Sequence, residues 1–176
     1  MTFRLRRFER AAVAAVLREG PTGAELLLIR RQRVPGRRWS GHVALPGGLR
    51  EADDRSIAHT AQRECHEEVG LRLSAPLHRL RRVWSVRPRG ARPMAIVPFA
   101  FAAPAGQRPT PETAEVAALD WVPLHVLRHA HRRWTWRRAG PLTVPAPHIE
   151  LPVGPLWGLT LRIVDHLLRH PGPLLG

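Results

Sequence analysis

One short segment, in which two glycines lead into an acidic helix, constrains this chain more than any other part of its sequence. Residues 47–71 read GGLREADDRSIAHTAQRECHEEVGL. Apolar residues recur at helical spacing after Asp54, and Gly70 is a typical helix stop, so the pattern predicts a helix with Asp54 as N-cap that runs to about residue 69. Three glutamates fall on neighbouring positions of one face of this helix: Glu64, Glu67 and Glu68.

The segment is acidic in a strongly basic protein. It holds six of the fourteen acidic residues, whereas the formal net charge of the chain is +14. Carboxylates crowded on one helix repel each other unless a cation neutralises them, and Mg²⁺ prefers oxygen ligands that it shares with substrate phosphates. The surrounding positive charge attracts anions. The sequence therefore predicts a divalent cation site that faces an anionic substrate.

Length and composition limit the alternatives. The 176 residues suffice for a single domain, with a core expected over about residues 11–170, and no apolar run is long enough to span a membrane. The single cysteine, Cys65, excludes an internal disulfide and favours the cytoplasm. All 28 cationic residues are arginine. Because no zinc-finger spacing or RNA-binding aromatic motif accompanies them, we expect no specific nucleic-acid partner.

The rest of the chain alternates strands and helices. Strands are predicted at residues 11–17, 24–30, 42–45, 77–86, 94–101 and 119–122, a hairpin at 134–144 and helices at 123–128 and 156–168. The apolar stripe of the last helix is interpreted as core or as a dimer contact, so a homodimer is a possible assembly. Cys65 is predicted to be a packed residue rather than a nucleophile. Trp39 and Trp84 could stack on a base, although a buried or partly buried position in the core is the default.

This order of elements, together with four motifs, resembles the Nudix hydrolases. The motifs are Gly48 followed by Asp54 and then RECHEEVGL at residues 63–71, SGHVALPGG at 40–48, LWGLT at 156–160, and PF at 98–99 with WVPL at 121–124. The usual box has Glu where Asp54 stands and one residue fewer before the Arg-Glu pair. This variant box and the segment before it resemble the coenzyme A pyrophosphatase-like branch, although its Leu-Arg-x-His segment is replaced here by residues 34–39.

The resemblance implies an α/β fold, a Nudix-type α/β/α sandwich with a mixed β-sheet. It implies a metal-dependent diphosphatase that uses Mg²⁺ or Mn²⁺ to cleave the diphosphate bond of a nucleoside diphosphate linked to another group, with coenzyme A or a derivative as the first substrate to test. The predicted site consists of metal ligands (Glu64, Glu67, Glu68), catalytic residues (Arg63, Glu64, Glu67, Glu115) and substrate-binding residues (Arg30, Arg38, Gly47, Gly48).

Several alternatives stay open at this stage. ADP-ribose, dinucleoside polyphosphates and nucleoside triphosphates are other substrates of the same class. A binding module that keeps the fold and uses arginine patches to hold RNA or nucleotides is an alternative of another class, against which the three glutamates speak. Glu51 could reach the metal region or lie on the surface. Glu115 is preferred over Glu112 as the further glutamate of the site, and His42 could touch substrate or serve the fold.

Overall fold

The computed structural model describes residues 10–35, 40–85, 93–111, 114–139 and 142–170. Over these ranges the strands are β1 (Arg10–Gly20), β2 (Gly23–Arg31), β3 (Val43–Ala44), β4 (Gly47–Leu49), β5 (His78–Arg79), β6 (Val83–Ser85), β7 (Met94–Ala102), β8 (Val116–Pro123), β9 (Arg133–Ala139), β10 (Leu142–Ile149) and β11 (Leu156–Trp157). The helices are α1 (Ile57–Val69), α2 (Leu124–His129) and α3 (Gly158–Arg169). In this part of the chain no helix has the length and apolar character that crossing a membrane requires.

β1 lies at the centre of a mixed sheet of eight described strands. It runs parallel to β7 and antiparallel to β2. The strands β3 and β8 pair with β2, and β5 and β6 pair with β7. β4 pairs with the first half of β1, where Gly48 lies opposite Ala12. This pairing places the double glycine against the central strand just before the chain enters α1.

The central strands are buried on both faces, and successive residues point to opposite layers. One core joins α1 to alternate strand residues, namely Ala12, Ala14, Val16, Leu27 and Ile29. The other core joins α2 and α3 to the residues between them, namely Ala11, Ala15, Leu17, Leu26 and Leu28. The sheet therefore lies between α1 on one face and α2 and α3 on the other, which confirms the predicted α/β/α sandwich with a mixed sheet.

The start of α1 differs from the prediction. Ser56 is the N-cap, with extended backbone and a side-chain oxygen that accepts a hydrogen bond from the His59 N–H at 3.0 Å. Asp54 is therefore not the cap, because the Ser56 side chain accepts the His59 N–H, one of the N–H groups of the first turn that have no partner within the helix. The end of the helix is as predicted: Gly70 adopts a left-handed conformation (φ 73°), and its N–H donates to the carbonyl of His66.

A bulge interrupts the pairing of β2 with β8. Arg30 lies opposite Ala118 and Arg31 lies opposite Val116, so Ala117 is an extra residue on β8. A bulge of this kind shifts the alternation of side chains along the strand that carries it. Ala118 consequently packs on the α2 and α3 side of the sheet, whereas Val116 packs on the α1 side.

The C-terminal region adds a second, three-stranded antiparallel sheet, β11–β10–β9, within the described residues. The predicted hairpin at 134–144 is longer than expected, and α3 begins at Gly158 because Leu156–Trp157 pairs with β10. The apolar stripe of α3 is core rather than dimer contact, since its residues are buried within this chain: Leu161, Ile163, Val164 and Leu167. The prediction for Trp84 was wrong, because it is exposed on the short strand β6, and Trp39 lies outside the described residues.

Candidate active site

Asp54 anchors the N-terminal end of the site. It is buried, with 3% of its surface exposed, and its carboxylate accepts hydrogen bonds from Nε and Nη2 of Arg63, the Thr60 hydroxyl and the Glu51 N–H, with His59 Nδ1 at 3.1 Å. Burial alone would raise the pKa of Asp54, but the hydrogen bonds, that from Arg63 first, hold it well below its usual range. Asp54 is therefore a charged support for Arg63.

Arg63 gathers the carboxylates of the helix. Its Nη1 lies 3.0 Å from Glu64 Oε1 and 2.8 Å from Glu67 Oε2, and 3.7 Å from Glu51 Oε1. Its Nη2 also donates to the Leu49 carbonyl in β4. The hydrogen bond to Asp54 is the main cause that raises the pKa of Arg63, so the guanidinium stays charged. The predicted positioning role of Arg63 has this geometry as its support.

Glu68 is the most buried of the three glutamates, with 4% of its surface exposed. One carboxylate oxygen accepts the Gly47 N–H at 2.9 Å and the other accepts Nη1 of Arg31 at 3.0 Å. Burial raises the pKa of Glu68 to about 7; Gly47 and Arg31 oppose this shift, while the nearby carboxylates Glu64 and Glu115 add to it. A metal ion bound near Glu68, in addition to the Arg31 guanidinium, would offset both the cost of burying the negative charge and the repulsion from the nearby carboxylates.

Glu64 lies one helical turn before Glu68, against the double glycine. A Cβ on Gly48 would overlap the Glu64 carboxylate, so glycine is needed for this close approach. A Cβ on Gly47 would overlap the backbone of β1 at the Ala12 carbonyl. Burial is the largest cause that raises the pKa of Glu64, and Arg63 opposes it. The two predicted glycines thus shape the backbone against which both carboxylates lie.

Arg31 is a site residue that the sequence did not single out. It bridges Glu68 and Glu115, with Nη2 at 2.8 Å from Glu115 Oε2. Glu115, which precedes β8 in the chain, is thereby brought beside the helix, as its predicted catalytic role requires. Strand alternation places Arg31 on the α1 side with Leu27 and Ile29. The sequence carries no signal for this, because β2 is buried on both faces before the arginines.

The remaining predicted residues lie elsewhere. Arg30 faces the opposite side of the sheet from Arg31 and lines a separate cavity, so it is not brought together with the glutamates. Arg38 and Glu112 lie outside the described residues. Glu67 is half exposed at the outer edge of the helix. Cys65 is packed in the core as predicted, and burial raises the pKa of its thiol to about 12, which leaves it protonated and unreactive.

The donor set fits a hard divalent cation. Over the described ranges, no group of three or more His, Cys, Asp or Glu side chains is arranged to hold a metal ion, and arginines form ion pairs with Glu64 and Glu68. These two residues nevertheless offer only oxygen ligands; Glu68 is buried, Glu64 is partly buried, and burial raises both pKa values. These are the ligands that Mg²⁺ and Mn²⁺ prefer. Because Gly48 has no side chain, the backbone of β4 lies directly against the Glu64 carboxylate.

The comparison with protein families agrees with this arrangement. A family model described as "NUDIX domain" matches residues 8–141. The chain belongs to the Nudix hydrolase family. The matched range contains the double glycine, α1 and Glu115.

Relatives and solved structures extend the match. "Uncharacterized Nudix hydrolase NudL" of Yersinia pestis is 32% identical over 166 residues, which covers 92% of this chain and 79% of that protein. Two shorter matches, at 54% and 41% identity, cover only 15% and 22% of the length of the curated relatives concerned.

Two structures share the fold of this Nudix chain. One is a Nudix hydrolase from Alicyclobacillus acidocaldarius, with a TM-score of 0.62 at 19% identity; the match covers 96% of this chain and 95% of that one. The Nudix domain of Shewanella oneidensis NrtR, complexed with ADP ribose, has a TM-score of 0.56 at 18% identity, with 70% and 78% covered.

Proposed function

We propose that this chain is a diphosphatase that hydrolyses the diphosphate bond of a nucleoside diphosphate linked to another group, with Mg²⁺ or Mn²⁺. One observation carries the proposal. Glu64 and Glu68 lie a turn apart against the Gly47–Gly48 backbone, Glu68 buried and Glu64 partly buried, in a protein of net charge +14. Buried carboxylates of raised pKa at one place are costly for a fold and are typical of functional sites.

Each charged residue has a part in this proposal. Glu64 and Glu68 would hold the cation, and Glu67 would join them from the exposed edge of the helix. The bound metal ion would polarise the diphosphate and lower the pKa of a water molecule. Arg63, fixed by its hydrogen bonds to Asp54, keeps the helix carboxylates in position.

Glu115 is the proposed general base. Its carboxylate lies 2.8 Å from Arg31 and is half exposed, so it is open to solvent as well as close to Glu68. Those two properties suit a group that must accept a proton from water and pass it on. Arg31 would hold Glu115 in place while it keeps Glu68 oriented.

The finer assignment of the substrate rests on similarity of sequence motifs. Residues 40–48 and the variant box favour coenzyme A or a derivative as the first compound to test. ADP-ribose follows, because the solved NrtR domain is complexed with it; dinucleoside polyphosphates and nucleoside triphosphates complete the panel. We further propose that the enzyme acts in the cytoplasm and that residues 1–176 form a single domain.

A panel assay with matched variants tests the proposal. Products are separated after incubation of each compound with wild type, Glu68→Gln and Glu19→Gln, with and without Mg²⁺ or Mn²⁺. Glu68→Gln keeps the shape of the buried side chain but removes its charge, and kcat is expected to fall about 100-fold or more because several kcal/mol of transition-state stabilisation are lost. Glu19 is exposed at the end of β1, so its variant should behave as wild type.

Two results would contradict the proposal. Hydrolysis that Glu68→Gln leaves unchanged would remove the metal-binding role of this residue. Failure to cleave every compound of the panel with either metal, by a folded protein, would remove the diphosphatase function itself. Salt-sensitive RNA binding by the same inactive protein would then favour a binding module.

A further inference from the structure

A second concave site lies on the other face of the sheet from the glutamates. It is a cavity of about 490 Å³, within the size range of small-ligand sites. We name it the arginine pocket after three of its lining residues, Arg30, Arg33 and Arg137. His42 and Trp157 form part of its wall, with their ring centroids 4.7 Å apart.

The charge of the arginine pocket is uncompensated. Its lining contains no acidic residue, and none of its three arginines forms an ion pair with a carboxylate of the described residues. The Nε of Arg137 is buried and has no hydrogen-bond partner over the same ranges. Because a buried donor without a partner costs free energy, this N–H is available for a ligand acceptor. Three arginines around one cavity and an unused donor are features of an anion site.

Neighbouring residues shape the positions of two of these arginines. Arg137 is stacked over Trp157, with its Cζ 5.0 Å from the ring centroid, which leaves its in-plane N–H groups free to donate. A Cβ on Gly41 would come within 2.9 Å of the Arg33 side chain, and Gly41 has a left-handed backbone (φ 73°). Glycine there gives the stem of Arg33 its room. Arg137 is thus partly preorganised, which lowers the entropic cost of binding.

The pocket is close to the metal site along the chain. Arg30 and Arg31 are adjacent in β2, and one lines the pocket while the other contacts Glu68 and Glu115. His42 in the pocket and Gly47 at Glu68 are five positions apart in the chain. A ligand in the pocket therefore lies at the same end of β2 as the proposed reaction, on the opposite face of the sheet.

We propose that the arginine pocket binds a phosphate group that is distinct from the diphosphate at the glutamates. Planar guanidinium forks match phosphate oxygens, and several of them around one concavity favour a compact, highly charged anion. Burial and then the charge of Arg137 lower the pKa of His42, so the imidazole is neutral near pH 7 and adds a polar wall rather than a fourth charge. A concave pocket of this size favours a small ligand over the extended backbone of RNA.

The phosphate could be carried by the substrate or be free in solution. In the first case the pocket binds a phosphate group that belongs to the substrate but lies outside the diphosphate that is cleaved. This assignment rests on the proposed function. In the second case the pocket is a regulatory site. Both share one chemistry, and two experiments separate them.

The first experiment measures binding without catalysis. Metal-free protein is titrated with inorganic phosphate at low ionic strength, and Kd is obtained from ¹H–¹⁵N spectra. Arg137→Gln is expected to raise Kd at least about tenfold, since a hydrogen bond between charged partners is lost. Arg82→Gln is the matched control, because Arg82 is also stacked on a tryptophan, with its Cζ 4.9 Å from the Trp84 ring centroid, but lies outside the pocket.

The outcome is decisive even if one variant is unstable. Arg33→Gln changes an exposed lining residue and should raise Kd in the same direction. If phosphate fails to bind wild type, or binds both pocket variants with the Kd of wild type, the proposal is overturned. Because no turnover is measured, this result is independent of whether the protein is a diphosphatase.

The second experiment identifies the source of the phosphate. Two nucleoside diphosphate substrates that differ by a single phosphate on the ribose are compared in wild type and Arg137→Gln. A substrate-borne phosphate predicts that wild type has the lower KM for the phosphorylated compound, that Arg137→Gln reduces this preference several-fold, and that inorganic phosphate competes. A ratio of KM values that the variant leaves unchanged, with phosphate binding in the first experiment, assigns the pocket to free phosphate.

Discussion

Replacing Asp54 by Asn should destabilise the protein by about 3 kcal/mol, although the two side chains have the same shape. Oδ2 of Asp54 accepts from the Glu51 N–H, the Thr60 hydroxyl and Nη2 of Arg63, and an amide oxygen can keep these bonds. The amide nitrogen must then replace Oδ1, where it meets Nε–H of Arg63 and Nδ1 of His59. One or two bonds that involve a charged group are lost, at about 1.5–3 kcal/mol each.

This loss in the free energy of unfolding is measured by urea denaturation of wild type and Asp54→Asn at pH 7. In thermal denaturation, a loss of this size should lower the Tm of a protein of this length by about 6–12 °C. Asp53→Asn is the control, since Asp53 is the exposed neighbour and should change the free energy of unfolding by less than about 0.5 kcal/mol. Equal effects of the two substitutions would refute the assignment of Asp54 as a buried support.

The pH dependence has a defined sign. The folded pKa of Asp54 lies below the value of about 3.9 of an unfolded aspartate, so its charge contributes stability above that pH and loses it as the pH falls. The difference between wild type and Asp54→Asn should therefore be constant from pH 7 to 5 and shrink below pH 4. A difference that stays constant down to pH 3 would show that packing, rather than charge, is responsible.

Three further predictions concern the glutamates. Gly48→Ala should lower kcat/KM by about 100-fold or more at unchanged protein concentration, because the added Cβ overlaps the Glu64 carboxylate; steady-state kinetics checks it, and a wild-type value would contradict it. Arg31→Gln should weaken activity by about tenfold or more, since it releases both Glu68 and Glu115; a loss in kcat rather than in KM distinguishes orientation of these groups from substrate binding. Burial raises the pKa of Glu68 to about 7, so the folded metal-free protein retains a proton that the unfolded chain releases near pH 4.3. Glu68 therefore lowers the free energy of unfolding as the pH rises from about 4.5 to 7. When both proteins are denatured in the presence of a chelator, Glu68→Gln should lack this decrease, and an identical pH slope in wild type and variant would disprove the prediction.

The sequence predicted the acidic helix well because all its determinants are local. The spacing of Glu64 and Glu68 and the left-handed stop at Gly70 depend on helical geometry alone. The N-cap was less certain because Asp54 and Ser56 are both good caps, and only the path of the preceding loop decides between them. The Asp54 carboxylate instead accepts hydrogen bonds from Arg63, which lies two turns further along the helix.

The choice between Arg30 and Arg31 could not be made from the sequence in the same way. A half-buried strand alternates apolar and polar residues, which reveals its inner face, but β2 is buried on both faces and reads as a continuous apolar run before the arginines. Its phase is set by the layers packed on it, which are distant in the chain. The second sheet was missed in part for a similar reason, since β11 exists only through its pairing with β10.

The bulge at Ala117 has a consequence for how this family member can vary in length. Because one extra residue puts the two halves of β8 out of phase, Val116 lies on the α1 side and Ala118 on the other. Glu115, just before the strand, contacts Arg31 on the α1 side. Deleting Ala117 would restore a regular ladder and turn Val116 away from its core. The strand therefore tolerates exchange of residue types there far better than a change in their number, because a change in number would also shift Glu115, the proton acceptor proposed for the reaction, relative to Arg31.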